Sequence, residues 1–228
     1  MPETNVAAEI SAFFGLASWS HDGAALGKVE KLAAAIDSAN YLNSSMAGCQ
    51  RFNRSLDLLA AAMQKRTVEN GLTLEFGVFS GSTINHLAAQ DKGPIFGFDS
   101  FEGLPEDWRP DVPKGAFKAR ALPRVAANVT LVVGWFDRTL PSFLERHDGS
   151  IAFLHVDCDL YSSTKTIFQF VGNRIVPGTI IVFDEYFNYV GWRNHEFKAF
   201  QEFIAERGLS YSYFGAVPNH QQVGVIIT

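Results

Sequence analysis

The chain has 228 residues, of which 47% are hydrophobic and 19% are charged, and its net charge is −5. At about 150 residues per domain, this length predicts one complete domain with an appendage, and the composition excludes a disordered or collagen-like chain. The acidic excess argues against a nucleic-acid or membrane partner, and no apolar run reaches the ~18 residues of a membrane span.

The two cysteines, Cys49 and Cys158, fit no metal-binding spacing. We therefore expect both thiols to be reduced. Because the N-terminal MPETN is not followed by a basic and then apolar signal region, the sequence favours a cytoplasmic protein.

Residues 1–70 show helical rather than strand patterning. Two helices are predicted there, the second ending at Asn70-Gly71, from apolar residues at helical spacing: Val29, Leu32, Ala33 and Ile36, then Leu56, Leu59, Ala60 and Met63. We expect residues 1–70 to form an N-terminal helical cover or lid.

Residues 71–228 alternate short apolar runs with helical patterns, which is typical of βαβ units and a parallel sheet. Two further strands at the C-terminus predict a closing antiparallel edge hairpin. The expected fold is an α/β, doubly wound, seven-stranded and mostly parallel sheet. The predicted strands are Leu72–Val78, Ile95–Phe98, Val129–Val133, Ile151–Val156, Thr179–Phe183, Ser210–Phe214 and Gln222–Ile227.

Predicted helices lie between most of these strands, at Ser82–Ala89, Thr139–Arg146, Ser163–Gly172 and Asn194–Arg207. The stretch Leu104–Asn128 contains four prolines and no helical or strand pattern. Irregular loops of this length in compact domains are more often functional than idle. We expect this loop to help cover a ligand.

A glycine-containing turn follows the first predicted strand. Gly77 and Gly81 permit a tight turn close to a ligand, and Ser82 or Thr83 can cap the next helix. Phe79 occupies the middle glycine position of a dinucleotide fingerprint, which argues against an NAD-dependent dehydrogenase. A purely structural turn remains an alternative.

Two further strand ends favour a nucleoside ligand. Asp99 ends the second predicted strand, 22 residues after Gly77, where a carboxylate can accept from both hydroxyls of a ribose. Gly134-Trp135-Phe136 follows the third strand and can flank a purine ring, although a core tryptophan is the alternative.

Carboxylates follow the fourth and fifth predicted strands. Strand alternation places His155, Asp157 and Asp159 on one side, and Asp184-Glu185 follow the neighbouring strand. An all-oxygen set, with no cysteine and at most one histidine nearby, favours Mg²⁺ over zinc or copper. The alternative is that Asp159 caps the next helix and Glu185 is a surface acid.

Aromatic residues in Tyr186–Trp192 come directly after these acids. They can stack on a sugar or aromatic acceptor, with Asn188 binding a hydroxyl, or they can pack against the following helix.

Taken together, Glu75–Thr83, Gly97–Pro105, Asp157–Thr164 and Phe183–Tyr186 resemble segments of the class I S-adenosylmethionine-dependent methyltransferases. Within that class they are similar to the macrocin-type sugar O-methyltransferases of glycosylated antibiotics. The resemblance covers about residues 70–228. It implies a seven-stranded sheet with a reversed final hairpin, and an Mg²⁺ ion that holds two adjacent hydroxyls of the acceptor sugar.

The resemblance also implies roles for individual residues. Asp159 would be the general base, and Asp157, Asp184 and Glu185 the metal ligands. Glu185 departs from the family pattern, which has a second aspartate there, and Arg138 occupies the position before Thr-Leu-Pro that is commonly acidic. The residues implied at the S-adenosylmethionine site are Glu75, Gly77, Phe79, Ser80, Ser82, Thr83, Asp99, Ser100, Gly134, Trp135, Phe136 and Asp157.

The expected function is metal-dependent O-methyl transfer from S-adenosylmethionine to a sugar hydroxyl of a glycosylated natural product. A catechol or phenol O-methyltransferase needs the same metal chemistry and is the first alternative. A non-catalytic nucleoside-binding protein of the same fold is the second. The expected partner is a small hydroxylated acceptor, and a homo-oligomer is compatible with the sequence.

Overall fold

The computed structural model describes residues 24–228, so the part of the predicted N-terminal cover that precedes Ala24 lies outside the described residues. The described chain is a mixed α/β fold with helices on both faces of one sheet. The strands are β1 Gln50–Arg51, β2 Leu72–Phe76, β3 Ile95–Asp99, β4 Val129–Val133, β5 Ile151–Val156, β6 Ile180–Phe183, β7 Tyr211–Ala216 and β8 Val223–Ile227. The α-helices are α1 Ala24–Ser44, α2 Ser55–Gln64, α3 Ser82–Gln90, α4 Phe136–Arg146, α5 Tyr161–Val171 and α6 Glu196–Arg207, with 3₁₀ turns at Gly172–Arg174 and Trp192–Asn194.

The predicted doubly wound, mostly parallel sheet is confirmed, and all seven predicted strands are present. Their order is β1-β7-β8-β6-β5-β2-β3-β4, and β8 runs antiparallel to both of its neighbours. The order in which successive strands join the sheet reverses between β2 and β5, which pair in parallel. In such sheets, ligands bind beyond the carboxyl ends of the strands at this switch point.

The prediction of seven strands is wrong by one. Gln50 and Arg51 form a short edge strand parallel to β7, with Gln50 opposite Gly215. A two-residue strand with both side chains exposed carries no apolar alternation, so its pattern was invisible in the sequence. The C-terminal hairpin is therefore not the edge of the sheet.

The core has two parts because the central strands are apolar on both sides, as expected for a buried parallel sheet. Helices α2 and α3 cover one face, where Leu59 and Ile84 are buried. Helices α4, α5 and α6 cover the other face, where the rings of Phe168 and Phe203 stack with centroids 4.5 Å apart.

The two predicted N-terminal helices form, with differences in detail. The expected apolar face of α1 is largely exposed, since Val29 is 40% and Ile36 is 53% accessible. Helix α2 ends at Gln64 and not at Asn70-Gly71. Gly71 instead leads into β2, where a Cβ atom would lie 2.8 Å from that of Ala152.

Helix beginnings also differ from the expectations. No side chain caps α3, whose N-cap is Gly81, and the hydroxyl of Thr83 donates to Glu75. Asp159 does not cap α5, whose N-cap is Leu160. The predicted loop Leu104–Asn128 contains no helix or strand, apart from one isolated bridge between Arg109 and Val112.

Within residues 24–228, no helix is both long enough and apolar enough to cross a bilayer.

Candidate functional site

A cavity of about 320 Å³ lies beyond the carboxyl ends of the strands, at the switch point. Its walls come from the loops after β2, β3, β4, β5 and β6 and from the long loop after β3. The lining residues are Gly77, Phe79, Asp99, Ser100, Gly103, Leu104, Pro105, Trp108, Arg109, Phe117, Trp135, Phe136, Asp157, Cys158, Asp159, Ser163 and Glu185. Five separate strand ends thus contribute to one cavity.

The conformation of the turn after β2 is restricted by the neighbouring loop after β5. Gly77 has φ +91°, and a Cβ atom there would lie 1.6 Å from the carbonyl oxygen of Asp157. Glycine is therefore required where the loops after β2 and β5 touch. This contact between loops explains Gly77 without a ligand.

Asp99 organises the same turn from β3. Its Oδ2 accepts hydrogen bonds from the backbone N–H groups of Val78 and Phe79, both at 2.8 Å, and its Oδ1 accepts from Phe101 N–H at 2.7 Å. A carboxylate offers about four acceptor positions. Three are used here, so about one remains for a ligand hydroxyl.

Aromatic side chains surround the cavity mouth. The rings of Phe79 and Phe117 meet edge to face with centroids 6.0 Å apart, and each side chain is nearly half exposed. Both residues have positive φ, 44° and 63°, which is costly for bulky side chains and is found mainly at functional sites. Trp135, which is 36% exposed, lines another wall.

Carboxylates crowd the opposite wall. Burial raises the pKa of Asp157 and of Glu185 well above its usual range, and nearby acids raise each pKa further. Burial also raises the pKa of Asp159 to about 7, although the Arg109 guanidinium works to lower it. Among the described residues, no lysine or arginine forms an ion pair with Asp157, Asp184 or Glu185. The cluster is therefore suited to a cation that would offset its negative charge.

His155 lies next to this cluster and is fully buried. Its Nδ1 is 3.0 Å from Glu75 Oε2. Burial lowers the pKa of His155, but the hydrogen bond and charge of Glu75 outweigh this, so the pKa lies above its usual value. Ligand atoms of His155, Asp157 and Asp184 all lie within 4.8 Å of one another. The sequence pattern predicted that His155 lies on the same side of β5 as Asp157, but His155 was not among the predicted metal ligands.

Glu196, which the sequence analysis missed, braces two of the loops. This buried carboxylate accepts from Cys158 N–H at 3.4 Å and from Glu185 N–H at 3.1 Å. Burial raises its pKa well above the usual range. One side chain of α6 thereby holds together the segments after β5 and β6. Its sequence position gave no signal of this role.

The loop Leu104–Asn128 contributes two residues that were also missed, Trp108 and Arg109. The Arg109 guanidinium lies 3.4 Å from the centroid of the Trp108 ring and 5.0 Å from that of Tyr189. This stacking holds a cation at the cavity wall that also contains Asp159. The only signal in the sequence was the loop's length.

The predicted site residues divide into two groups. The residues that line the cavity are Gly77, Phe79, Asp99, Ser100, Trp135, Phe136, Asp157, Asp159 and Glu185. Those outside its lining are Glu75, Ser80, Ser82, Thr83, Gly134 and Asp184. Of these, Ser80 and Ser82 are exposed, whereas Glu75 is fully buried beneath the site.

The aromatic segment Tyr186–Trp192 packs internally, as the alternative interpretation proposed. Tyr186, Phe187 and Trp192 are almost completely buried, and the Trp192 ring meets Phe197 of α6 edge to face. Asn188 donates from its side chain to backbone carbonyls of Pro218 and His220. These rings form a core and offer no stacking surface for an acceptor.

Comparisons with known proteins agree with this architecture. A family model described as a methyltransferase domain matches residues 74–186, which span β2 to the start of the segment after β6. No curated protein matches the sequence significantly.

Three solved structures share the fold. The calicheamicin methyltransferase CalS11 is 20% identical, with a TM-score of 0.59, over 99% of this chain and 94% of that one. The O-methyltransferase NovP is 17% identical, with a TM-score of 0.56, over 91% of this chain and 100% of that one. TomG from Streptomyces achromogenes, solved with S-adenosylmethionine, is 15% identical, with a TM-score of 0.50, over 96% of each chain.

The strand order, the cavity at the switch point and the matching domain model agree with one another. The chain is therefore an enzyme that carries a methyltransferase domain at residues 74–186, within a fold that it shares with solved O-methyltransferases.

Proposed function

We propose that this protein is a cation-assisted O-methyltransferase that moves the methyl group of S-adenosylmethionine to a hydroxyl of a glycoside. The observation that carries the proposal is that one cavity has Asp99 and Trp135 on one side and Asp157 and Asp159 on the other. Such a cavity can hold a nucleoside next to a hydroxylated acceptor. The neighbour CalS11 is described as a TDP-rhamnose 3′-O-methyltransferase, which supports a sugar as acceptor.

The cofactor half of the cavity fits a nucleoside. Asp99 is fixed by three backbone N–H groups and keeps about one acceptor position for a ribose hydroxyl. Trp135 and Phe136 flank the cavity at the end of β4, where an adenine ring can lie against them. S-adenosylmethionine supplies a sulfonium methyl group that is already activated for transfer.

The acidic half fits a divalent cation. Asp157 and Asp184 have ligand atoms within 4.8 Å of one another, and the buried Oε2 of Glu185 lacks a hydrogen-bond partner among the described residues. We propose Asp157, Asp184 and Glu185 as residues that hold the cation, which was expected to be Mg²⁺. A bound cation supplies Lewis acidity, which lowers the pKa of an acceptor hydroxyl and orients it.

Asp159 is proposed as the general base. As the acceptor oxygen forms its bond to the methyl carbon, the carbon–sulfur bond breaks and the hydroxyl proton passes to the Asp159 carboxylate. Glu196 holds the loops that carry Asp159 and Glu185 in register through its two backbone contacts. Leu104 and Trp108 cover the cavity and exclude water from the transfer. Alignment of the reacting groups contributes several kcal/mol to lowering the barrier.

We further propose that residues 71–228 form the catalytic domain and that residues 1–70, with the loop Leu104–Asn128, cover the acceptor. A test is deletion of residues before about position 40. If the segment is a cover, acceptor turnover falls more than cofactor binding, whereas equal losses of both would make it structural.

A catechol or phenol is the second candidate acceptor. The exposed ring pair Phe79–Phe117 at the cavity mouth favours it, because aromatic edges and faces suit an aromatic ligand.

The test is methylation of a panel of glycosides and catechols with methyl-labelled S-adenosylmethionine, read by mass spectrometry, with and without exhaustive chelation. We expect labelled glycosides and loss of labelling on chelation. Labelling of catechols alone would show that the acceptor is a catechol and not a glycoside. Labelling unchanged by chelation would show that the reaction needs no cation. In the same assay Asp157→Asn should lose labelling, and Asp148→Asn, altered at an exposed acid before β5, is its matched control and should behave as wild type.

A further inference from the structure

His155 has a buried ring nitrogen that lacks a partner. The side chain is 0% exposed, and among the described residues its Nε2 makes no hydrogen bond. The Asp184 Oδ1 atom lies 3.9 Å away, beyond hydrogen-bond distance. A buried polar atom left unpaired destabilises a fold, so a specific reason for it is expected.

The other ring nitrogen is held by a carboxylate. Nδ1 donates to Glu75 Oε2 at 3.0 Å, and Glu75 Oε1 accepts from the Thr83 hydroxyl at 2.9 Å. This chain of contacts fixes the ring orientation, with Nε2 on the side of Asp184, and holds the proton on Nδ1 when the ring is neutral, so that Nε2 can then accept a ligand. A carboxylate behind a histidine is the usual support of a metal-ligating imidazole.

The acids opposite Nε2 are also positioned. The Gln222 side-chain amide donates to both carboxylate oxygens of Asp184, at 3.2 and 3.1 Å. Ligand atoms of His155, Asp157 and Asp184 lie within 4.8 Å of one another. Three ligand atoms at about 2.1 Å from one ion lie about 3.0–4.2 Å from one another, so the atoms need to approach by about 1–2 Å at most to share one ion.

We propose that His155 is a nitrogen ligand of the metal site, together with Asp157 and Asp184, and that the site therefore selects a first-row transition-metal dication over Mg²⁺. Mg²⁺ strongly favours oxygen ligands. An imidazole ligand instead raises the affinity of a site for first-row transition-metal ions, and this affinity increases from Mn²⁺ to Cu²⁺. The inference rests on the cation of the proposed function and replaces the expectation of a site made of oxygen ligands.

The first test is pulsed electron paramagnetic resonance of the full-length protein loaded with Mn²⁺. We expect modulation from a directly bound ¹⁴N nucleus in the wild type and in His86→Gln, whose histidine hydrogen-bonds the Leu56 carbonyl. The modulation should vanish in His155→Gln. A wild-type spectrum without nitrogen coupling overturns the proposal, whatever the variants do.

The second test compares Mn²⁺ and Mg²⁺ affinities by calorimetry after chelator treatment. We expect His155→Gln to weaken Mn²⁺ binding by at least about 10-fold and Mg²⁺ binding less, since even supporting residues of metal sites are worth 10–100-fold. Equal losses for both ions overturn the proposal.

The two proposals can fail separately. Nitrogen coupling without glycoside or catechol methylation supports this metal site and contradicts the proposed function. Glycoside methylation with a Mn²⁺ spectrum that shows oxygen ligands alone does the reverse.

Discussion

Two buried polar regions of this molecule contrast sharply. Beyond the ends of β5 and β6, acids lie close together, and buried atoms such as Nε2 of His155 and Oε2 of Glu185 lack partners among the described residues. Against helix α6, a tyrosine cluster of Tyr41, Tyr186, Tyr211 and Tyr213 joins α1, the segment after β6 and the C-terminal hairpin. Each of its four hydroxyls has a partner.

The tyrosine cluster is closed by a side-chain amide. Gln201 donates to Tyr186 Oη at 3.0 Å and to Tyr211 Oη at 2.9 Å. A fully satisfied buried network stabilises a fold, whereas a partly satisfied one costs stability. From this difference we infer that the tyrosine cluster stabilises the fold. We infer that the acids Asp157, Asp159, Asp184 and Glu185, called the acidic rim below, bind a ligand.

The largest expected effect is a loss of turnover when an acid of the acidic rim is replaced. Asp159→Asn should lower kcat by about 10²–10⁴-fold, because the base that accepts the hydroxyl proton is lost. Cofactor affinity should be nearly unchanged and the free energy of unfolding should not fall, since one buried negative charge is removed from a like-charged group. Steady-state kinetics, calorimetry with S-adenosylmethionine and urea unfolding measure the three quantities. Full activity of the variant would refute the base assignment.

Asp157→Asn tests whether the metal-binding role of one acid can be separated from the base role of another. It should reduce metal affinity and turnover together, whereas Asp159→Asn should reduce turnover alone. Metal content after dialysis and kcat measured on the same samples separate the two variants. Normal metal binding by Asp157→Asn would contradict its role as a ligand.

The tyrosine cluster should respond in the opposite way. Tyr213 contacts three other hydroxyls, so Tyr213→Phe should lower the free energy of unfolding by about 1–3 kcal/mol without changing cofactor affinity. Urea unfolding measures the loss. Tyr161→Phe, which removes one hydrogen bond to Glu202 on the surface, is the matched control and should cost less. Equal costs would show that the cluster contributes nothing special.

The smallest effect is expected outside both regions. Asp37 accepts two hydrogen bonds from Arg193, both at 2.9 Å, but each side chain is 44% exposed. The hydrogen bond from Arg193 lowers the pKa of Asp37, so the pair stabilises the fold above the usual aspartate pKa of about 4 and this stabilisation is lost as pH falls further. After allowance for solvent screening, Asp37→Asn should cost about 0.2–1 kcal/mol at neutral pH. Unfolding measured at pH 7 and pH 3 tests this, and a difference that is undiminished at pH 3 would contradict it.

Much of the fold followed from local pattern. The apolar run Ile180–Phe183 is buried on both sides and reads as a strand without further information. The acids after β5 and β6 could be placed at one edge because parallel strands end together. The short β1 could not be found, because two exposed residues carry no period.

The site was harder to predict where its contacts are distant in sequence. Glycine is required at position 77 because the carbonyl of Asp157, eighty residues later, leaves no room for a Cβ atom. Glu196 of α6 likewise accepts a hydrogen bond from Cys158, which lies much earlier in the chain. Glu75, which the resemblance implies at the cofactor site, also holds His155 from beneath the cavity, and this contact was not predicted. Such pairings are set by the register of neighbouring strands and by helix packing, which no local pattern reveals.

The most direct test is the anomalous difference map of crystals grown with Mn²⁺ and S-adenosylhomocysteine. The account predicts one strong peak at bonding distance from Asp157 and Asp184, with the nucleoside against Asp99 and Trp135 in the same cavity. A strong peak elsewhere, or a nucleoside outside this cavity, would contradict it.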